Sequence, residues 1–233
     1  MYGQSGTLYS EIDAMIILAL DTAGVDCAAA LYDSGRDTVL GEASDMIGKG
    51  HAEHLMGIVD RALDQAGITL SAVERIAVTV GPGSFTGIRV GVAAARGFAL
   101  SLAVPAVGVT TLAVMAEAER QRSPGQPVLA AMDAKRNEIY LQTFDSGGNP
   151  IDEARAVTIE EAQAFAAEFD GAVAGSATPL LKPDATGEHA NHCPISIVAR
   201  LGAAAETSSG KPKPLYLRGP DAKPQAGFAI ARV

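Results

Sequence analysis

Arg75-Ile-Ala-Val-Thr-Val80 runs straight into Gly81-Pro-Gly-Ser-Phe-Thr-Gly-Ile-Arg-Val-Gly91. The first six residues predict a strand buried on both faces, the glycine loop turns the chain, and the run from about Thr86 to Leu102 predicts a long helix. Upstream, residues 51–66 place Leu55, Ile58, Val59, Ala62, Leu63 and Ala66 in one stripe at helical spacing, with Gly67 in the closing position. Ser71-Ala-Val-Glu74 has the form of a capping box on a short turn. Further back, Met15 opens a fully apolar strand that ends in the turn Asp21-Thr-Ala-Gly24, and residues 27–32 and 38–43 predict two more strands around Asp33-Ser-Gly35. Downstream, residues 104–107 predict a strand, Thr110 or Thr111 caps a third helix reaching about Arg120, and 121–126 is a polar linker. The first half therefore reads β-β-β-α-β-α-β-α.

The pattern then restarts. Leu18-Ala-Leu-Asp21 and the Asp33-Ser-Gly35 turn have counterparts in Ala130-Ala-Met-Asp133 and Asp145-Ser-Gly147, each displaced by the same interval. A duplicated strand-strand-strand-helix unit accounts for both matches. The second copy continues with a helix near 157–169, a strand at 171–174 and a helix at about 196–207, interrupted by a Gly/Pro-broken stretch from 175 to 194. This is the α/β architecture of the actin, sugar-kinase and Hsp70 (ribonuclease H-like) superfold, with an N-terminal lobe at 15–120 and an abbreviated C-terminal lobe at 127–209. Residues 1–14 form an extension outside the fold, and 210–233 a basic tail. The superfold hosts kinases, chaperones and scaffolds alike, so function has to come from the sites.

Composition narrows the field. A chain of 233 residues buries a sizeable core. Its net charge of −9 and pI near 4.9 argue against a protein that grips nucleic acid on its own. The exception is the tail, where Lys211, Lys213, Arg218, Lys223 and Arg232 face only Asp221; a solvated tail and a partner-docking tail both fit. Two cysteines, Cys27 and Cys193, make no disulfide framework and predict reduced thiols in a cytosolic protein. Every apolar stretch is cut by Gly, Asp or Arg, so no membrane span is expected, and residues 1–14 lack the marks of a signal peptide.

The 81–87 loop fails as a phosphate loop because no Lys-Ser/Thr follows it. It fails as a dinucleotide fingerprint on glycine spacing, and as a nucleophile elbow because Pro82 stands where a glycine is needed before Ser84. Two readings remain. Gly83, Ser84 and Thr86 offer a generic anion site at a helix N-terminus, or the loop docks the helix tightly. Along that helix Gly87, Gly91 and Ala95 leave a nearly flat strip. A helical glycine costs about 1 kcal/mol relative to alanine, so close packing is expected there, against either the protein's own sheet or another backbone. Asp21-Thr22 and Asp133 sit where this superfold holds phosphate and magnesium, and would serve an ATP-dependent small-molecule kinase. Neither turn carries the glycine and hydroxyl residues of a phosphate cradle. His51 and His54 lack further metal ligands. His189, His192 and Cys193 make at most half a zinc site, and a peptidase built on Ser84 or the His51/His54 pair is the weakest reading.

Asp21-Thr22, His51-x-Glu53-x-Leu55, the whole of 81–91, Gly108-Val-Thr-Thr-Leu112 and Pro214-Leu-Tyr-Leu-Arg218 together resemble the TsaB (YeaZ) family, glycoprotease-like in older terminology. The likeness runs from Met15 to about Arg218, and the 81–91 block is its most specific part. The resemblance implies a non-catalytic, cytoplasmic scaffold in tRNA threonylcarbamoyladenosine synthesis. Such a scaffold pairs with a catalytic TsaD-like paralogue and a TsaE-like ATPase, and forms a homodimer when the paralogue is absent. The machinery places threonylcarbamoyl, from threonylcarbamoyl-AMP, on N6 of the adenosine beside the anticodon in tRNAs reading codons that begin with A. ATP/ADP and a metal are implied in the partner subunits, with no cofactor held by this chain alone, and tRNA is met only through the complex. The family's interface falls on the first two helices, which carried over assigns His51, Leu55, Ile58, Gly87, Gly91 and Ala95 to the contact.

Overall fold

Two sheets carry the duplication. The first has five strands in the order β3-β2-β1-β4-β5, namely β3 (Thr38–Met46), β2 (Asp26–Asp33), β1 (Ile16–Asp21), β4 (Arg75–Gly81) and β5 (Ala106–Thr110). The second has four in the order β8-β7-β6-β9, namely β8 (Arg155–Thr158), β7 (Glu138–Phe144), β6 (Val128–Lys135) and β9 (Ala172–Ala174). In both, an antiparallel three-strand meander is extended by a parallel strand beside its first member. The helices are α1 (His51–Ala66), α2 (Phe85–Leu102), α3 (Thr111–Arg122), α4 (Ile159–Glu168), α5 (Thr178–Leu181) and α6 (Ile195–Ala204). This computed structural model describes residues 14–183, 193–207 and 210–218. The predicted extension up to residue 13, the pair His189 and His192, and the tail beyond Arg218 lie outside the described residues.

Alternation along β1 explains the layering. Leu18 and Leu20 face the side covered by α1 and α2, with Leu55, Ile58, Val59, Ile88 and Val92. Ile17 and Ala19 face the opposite side, covered by Ile197, Val198 and Ala199 of α6. Each large aliphatic side chain fully buried this way contributes roughly 1.5–3 kcal/mol. Helix α1 runs over the predicted range and closes on Gly67 in the left-handed region at φ 66°. Thr110 caps α3, its hydroxyl accepting from the Ala113 amide.

Several expectations shift. Residues 157 and 158, read in sequence as the start of a helix, belong with 155 and 156 to the third strand of the second copy. The helix begins behind them on a capping box between Thr158 and Glu161. The predicted box at 71–74 does not form; a short 3-10 turn over Leu70–Ala72 stands there without a side-chain cap. Helix α6, placed by the sequence reading in the C-terminal lobe, packs on β1, β2 and β4 of the first sheet. Arg75 fastens it there, its Nη1 donating to the carbonyls of Gly202 (3.1 Å), Ala203 (2.7 Å) and Ala205 (3.2 Å). Residues 210–218 are not a solvated tail either. The Leu215 amide donates to the Val80 carbonyl at 2.7 Å, and Arg218 pairs with Glu138 of the second sheet at 2.8 Å.

Helix α2 is long and apolar enough, by length and composition alone, to cross a membrane. Its Gly87, Ile88, Gly91, Val92 and Ala95 are instead buried against the protein's own sheet, and it carries Arg89 and Arg96. It is a core helix.

Both thiols are buried and unbridged, Cys27 in the core under α1 and Cys193 in the core under α6. Burial, then the carboxylates of Asp21 and Asp45, pushes Cys27 up to about 11. Burial, then Asp21 and Asp26, pushes Cys193 well above its ordinary value. At pH 8 both are therefore protonated and inert. A chromogenic aromatic disulfide reagent is expected to find no thiol in the folded chain and both in guanidinium; rapid reaction in native buffer would contradict this packing.

Candidate functional site

The carboxyl end of the first sheet gathers the residues singled out in the sequence. Asp21 ends β1 and is 1% exposed. Its Oδ1 accepts from the Thr79 hydroxyl and, at 2.9 Å, from the Ala23 amide. Thr22 is fully buried and its hydroxyl donates to the Gly87 carbonyl at 2.7 Å. The Ser84 amide donates to the Ala23 carbonyl at 2.7 Å. The 21–23 turn and the 81–87 loop are thus closed on each other.

The glycines make that closure feasible. A Cβ on Gly87 would stand inside the contact radius of the Thr22 carbonyl oxygen, and one on Gly91 would lie 2.5 Å from Thr22 Oγ1 and 3.3 Å from Val78 Cγ2. Gly83 likewise abuts the Ala23 carbonyl. Of the two sequence readings for the flat strip, the structure selects packing on the protein's own sheet, and the assignment of Gly87, Gly91 and Ala95 to a contact surface is corrected. The same holds for His51, Leu55 and Ile58, all buried in the α1 core. A helix fold that buries one stripe must hide these residues; the outward side of α1 and α2 instead shows His54, Met56, Phe85 and Arg89.

The anion-site reading of Gly83, Ser84 and Thr86 meets a different obstacle. The Ser84 hydroxyl accepts from the Gly87 amide at 3.2 Å, so the helix start is capped from within. The superfold's nucleotide chemistry fits these turns poorly. Where phosphate oxygens need open backbone amides, the Ala23 amide is engaged by Asp21, and the carboxylate that would reach magnesium is sealed under Thr79. In the second copy the Lys135 ammonium sits 2.7 Å from Asp133 and holds its carboxyl below the usual range. His51 Nε2 lies 3.1 Å from the Asp26 carbonyl, a local core contact. Among the described residues no group of three His, Cys, Asp or Glu side chains is placed to hold a metal ion.

One cluster is invisible to a residue-by-residue reading. The Arg89 guanidinium lies 3.7 Å from the Phe85 ring centroid and its Nε donates to the Tyr216 hydroxyl at 2.9 Å, while the two rings stand 5.2 Å apart. Phe85 and Tyr216 remain 50% and 45% exposed. The signal lies in the two motifs that supply these residues, 81–91 and 214–218, whose spatial meeting no local pattern reveals.

Comparison with known proteins gives a consistent account. Residues 44–222 match the family model for TsaD, tRNA N6-adenosine threonylcarbamoyltransferase. The chain is 34% identical over 137 residues to the tRNA threonylcarbamoyladenosine biosynthesis protein TsaB of Escherichia coli K12, covering 59% of this chain and 58% of that protein. The match thus spans little more than half the length of that relative. An uncharacterized protein of Mycobacterium tuberculosis H37Rv is 32% identical over 233 aligned residues, covering 93% of this chain and 98% of its own. Among solved structures, YeaZ from Pseudomonas aeruginosa superposes with a TM-score of 0.70 at 27% identity, over 87% of this chain and 100% of that one.

Proposed function

The chain belongs to the family described by the TsaD, tRNA N6-adenosine threonylcarbamoyltransferase, model and resembles its TsaB (YeaZ) members, and from that premise we propose that it is a non-catalytic scaffold subunit in tRNA threonylcarbamoyladenosine biosynthesis. The observation that carries the reading is the mutual closure of the 21–23 turn and the 81–87 loop. The place where a working member of the superfold would hold phosphate and metal is filled by this chain's own backbone. Chemistry then falls to a TsaD-like paralogue, with a TsaE-like ATPase, and nucleotide and metal reside in those cytoplasmic partners. The docking surface is proposed on the outward sides of α1 and α2, around His54, Met56 and Phe85, in place of the buried stripe that the sequence motifs suggest. The same side would pair two copies when the paralogue is missing.

The test is reconstitution with a TsaD-like and a TsaE-like subunit, an unmodified tRNA transcript and threonylcarbamoyl-AMP. Modified adenosine is expected to form only when this chain is added, and Asp21→Asn, folded by circular dichroism, is expected to keep most of the activity. Substrate-stimulated ATP turnover by the purified chain alone, lost in Asp21→Asn, would favour the kinase reading instead.

A further inference from the structure

We propose that residues 212–218 form a strap that couples docking on the outward side of α2 to the order of strand β7 in the second sheet. Its near end is held by α2, the Arg96 Nε donating to the Pro212 carbonyl at 2.9 Å. Beyond that, three consecutive residues turn three ways. Leu215 packs against the core of the first lobe, and its amide donates to the Val80 carbonyl at 2.7 Å. Leu217 packs against the core between α3 and the second sheet, where Tyr140 of β7 also lies. Between them Tyr216 turns outward, its hydroxyl accepting from the Arg89 Nε at 2.9 Å. Arg218 closes the far end on Glu138, the first residue of β7, at 2.8 Å. One short run of chain thus touches α2, the end of β4 and the start of β7.

The strap belongs to no helix or strand, so its hold is carried by side chains and the Leu215 backbone bond. Segments fastened in this way open locally at low free energy. What it covers is half open. Ile139 and Leu141 of β7 are buried on the α4 side, whereas Glu138, Tyr140 and Gln142 on the other face are only half-buried. Helix α3 packs there chiefly on β6, which leaves β7 to Leu217 and Arg218. Docking acts on the near end. The Arg89 guanidinium already lies over the Phe85 ring and holds Tyr216, and this stack is still wet on its outer side. A partner seated against it excludes that water, and the cation–ring and hydrogen-bond attractions strengthen as water leaves. The stack is complete only while Tyr216 is in place, so a partner binds the seated strap better than the lifted one. Linkage is reciprocal: loosening the strap at Glu138 weakens docking by the factor by which docking steadies the strap.

The inference rests on the docking surface proposed above, and its test keeps the two apart. Hydrogen exchange is followed over Glu138–Phe144 in the full chain, alone and with a saturating TsaD-like subunit, and the affinity for that subunit is measured by calorimetry. Docking is expected to slow exchange in β7 about 5-fold or more. Arg218→Ala and Leu217→Ala, at the second-lobe end of the strap and folded by circular dichroism, are expected to lose that slowing. Both are expected to bind the subunit weaker by the same factor, about 5-fold or more. Arg89→Ala is expected to speed exchange in β7 of the free chain. Phe169→Ala, which loosens the opposite face of the second sheet, is expected to dock like wild type. Docking that leaves exchange in β7 unchanged, or wild-type affinity in either strap variant, overturns the coupling alone. So does β7 exchange unmoved by Arg89→Ala, or an equal loss of affinity in Phe169→Ala, which would make any weakening of the second lobe sufficient. A wild-type chain that does not bind the subunit overturns the docking surface, and the coupling with it.

Discussion

Gly87→Arg is expected to leave no folded protein. The Cβ alone would overlap the Thr22 carbonyl oxygen, and the rest of the side chain would have to enter the buried seam between α2 and the 21–23 turn. Overpacking of this kind costs about 1–3 kcal/mol, and an unpaired buried guanidinium adds several more. The sum approaches the whole stability of a typical domain, about 5–15 kcal/mol. Gly87→Ala isolates the first contribution and is expected to lower the melting temperature by roughly 3–10 °C in a chain of this size. Arg89→Glu, two positions along and facing solvent, is expected to fold normally. The measurement is far-UV circular dichroism with thermal melting. A Gly87→Arg protein with an unchanged spectrum and melt would mean that the strip is open after all, and would return it to the docking surface.

Arg75→Met is expected to release α6 from the first sheet. The methionine keeps the apolar stem but removes the donor shared by the carbonyls of Gly202, Ala203 and Ala205, acceptors at the C-terminal end of α6. A cation at a helix C-terminus also opposes the negative end of the helix dipole. Bonds from a charged donor are each worth about 1.5–3 kcal/mol, and three carbonyls on one nitrogen do not add in full, so a loss of about 2–4 kcal/mol is expected. Burial already pulls the Arg75 pKa below its ordinary value, yet a guanidinium stays charged. Hydrogen exchange across Ile195–Ala204 reads the effect directly. Those amides are expected to lose protection ahead of β1 and β2, and Arg75→Lys to recover part of it. Uniform destabilisation without a local signature in α6 would show that Arg75 acts elsewhere.

What the sequence makes legible follows from the range of the forces involved. Helix α1 and the doubly buried strands are written in local periodicity, and the second meander in its repeat of the first. Local pattern starts strand β5 two residues early and ends it at Val107. In the fold Gly108 lies inside the strand, where a Cβ would crowd Val80 Cγ1 at 2.6 Å. Strand β8 has only four residues, too few for alternation to register against the helix behind it. The candidate site is legible in its residues but not in their orientation. The 81–91 motif marks a close approach of two backbones, and only the fold shows that the second backbone is the chain's own Thr22. The seat of α6 and the meeting of Arg89 with Tyr216 each span 127 positions or more, beyond the reach of any window of spacing.

The return of α6 to the first sheet bears on how the molecule comes off the ribosome. When Val109 has emerged, the face holding Ile17, Ala19, Ala28 and Ala77 has no cover, and Ile197 and Val198 are yet to be translated. At ~5–20 residues per second that interval lasts on the order of ten seconds, long enough for an uncovered aliphatic sheet to recruit chaperones or to aggregate. Fragments cut at the internal repeat therefore inherit a permanently incomplete nascent state, and the gene duplication does not mark two separately expressible halves.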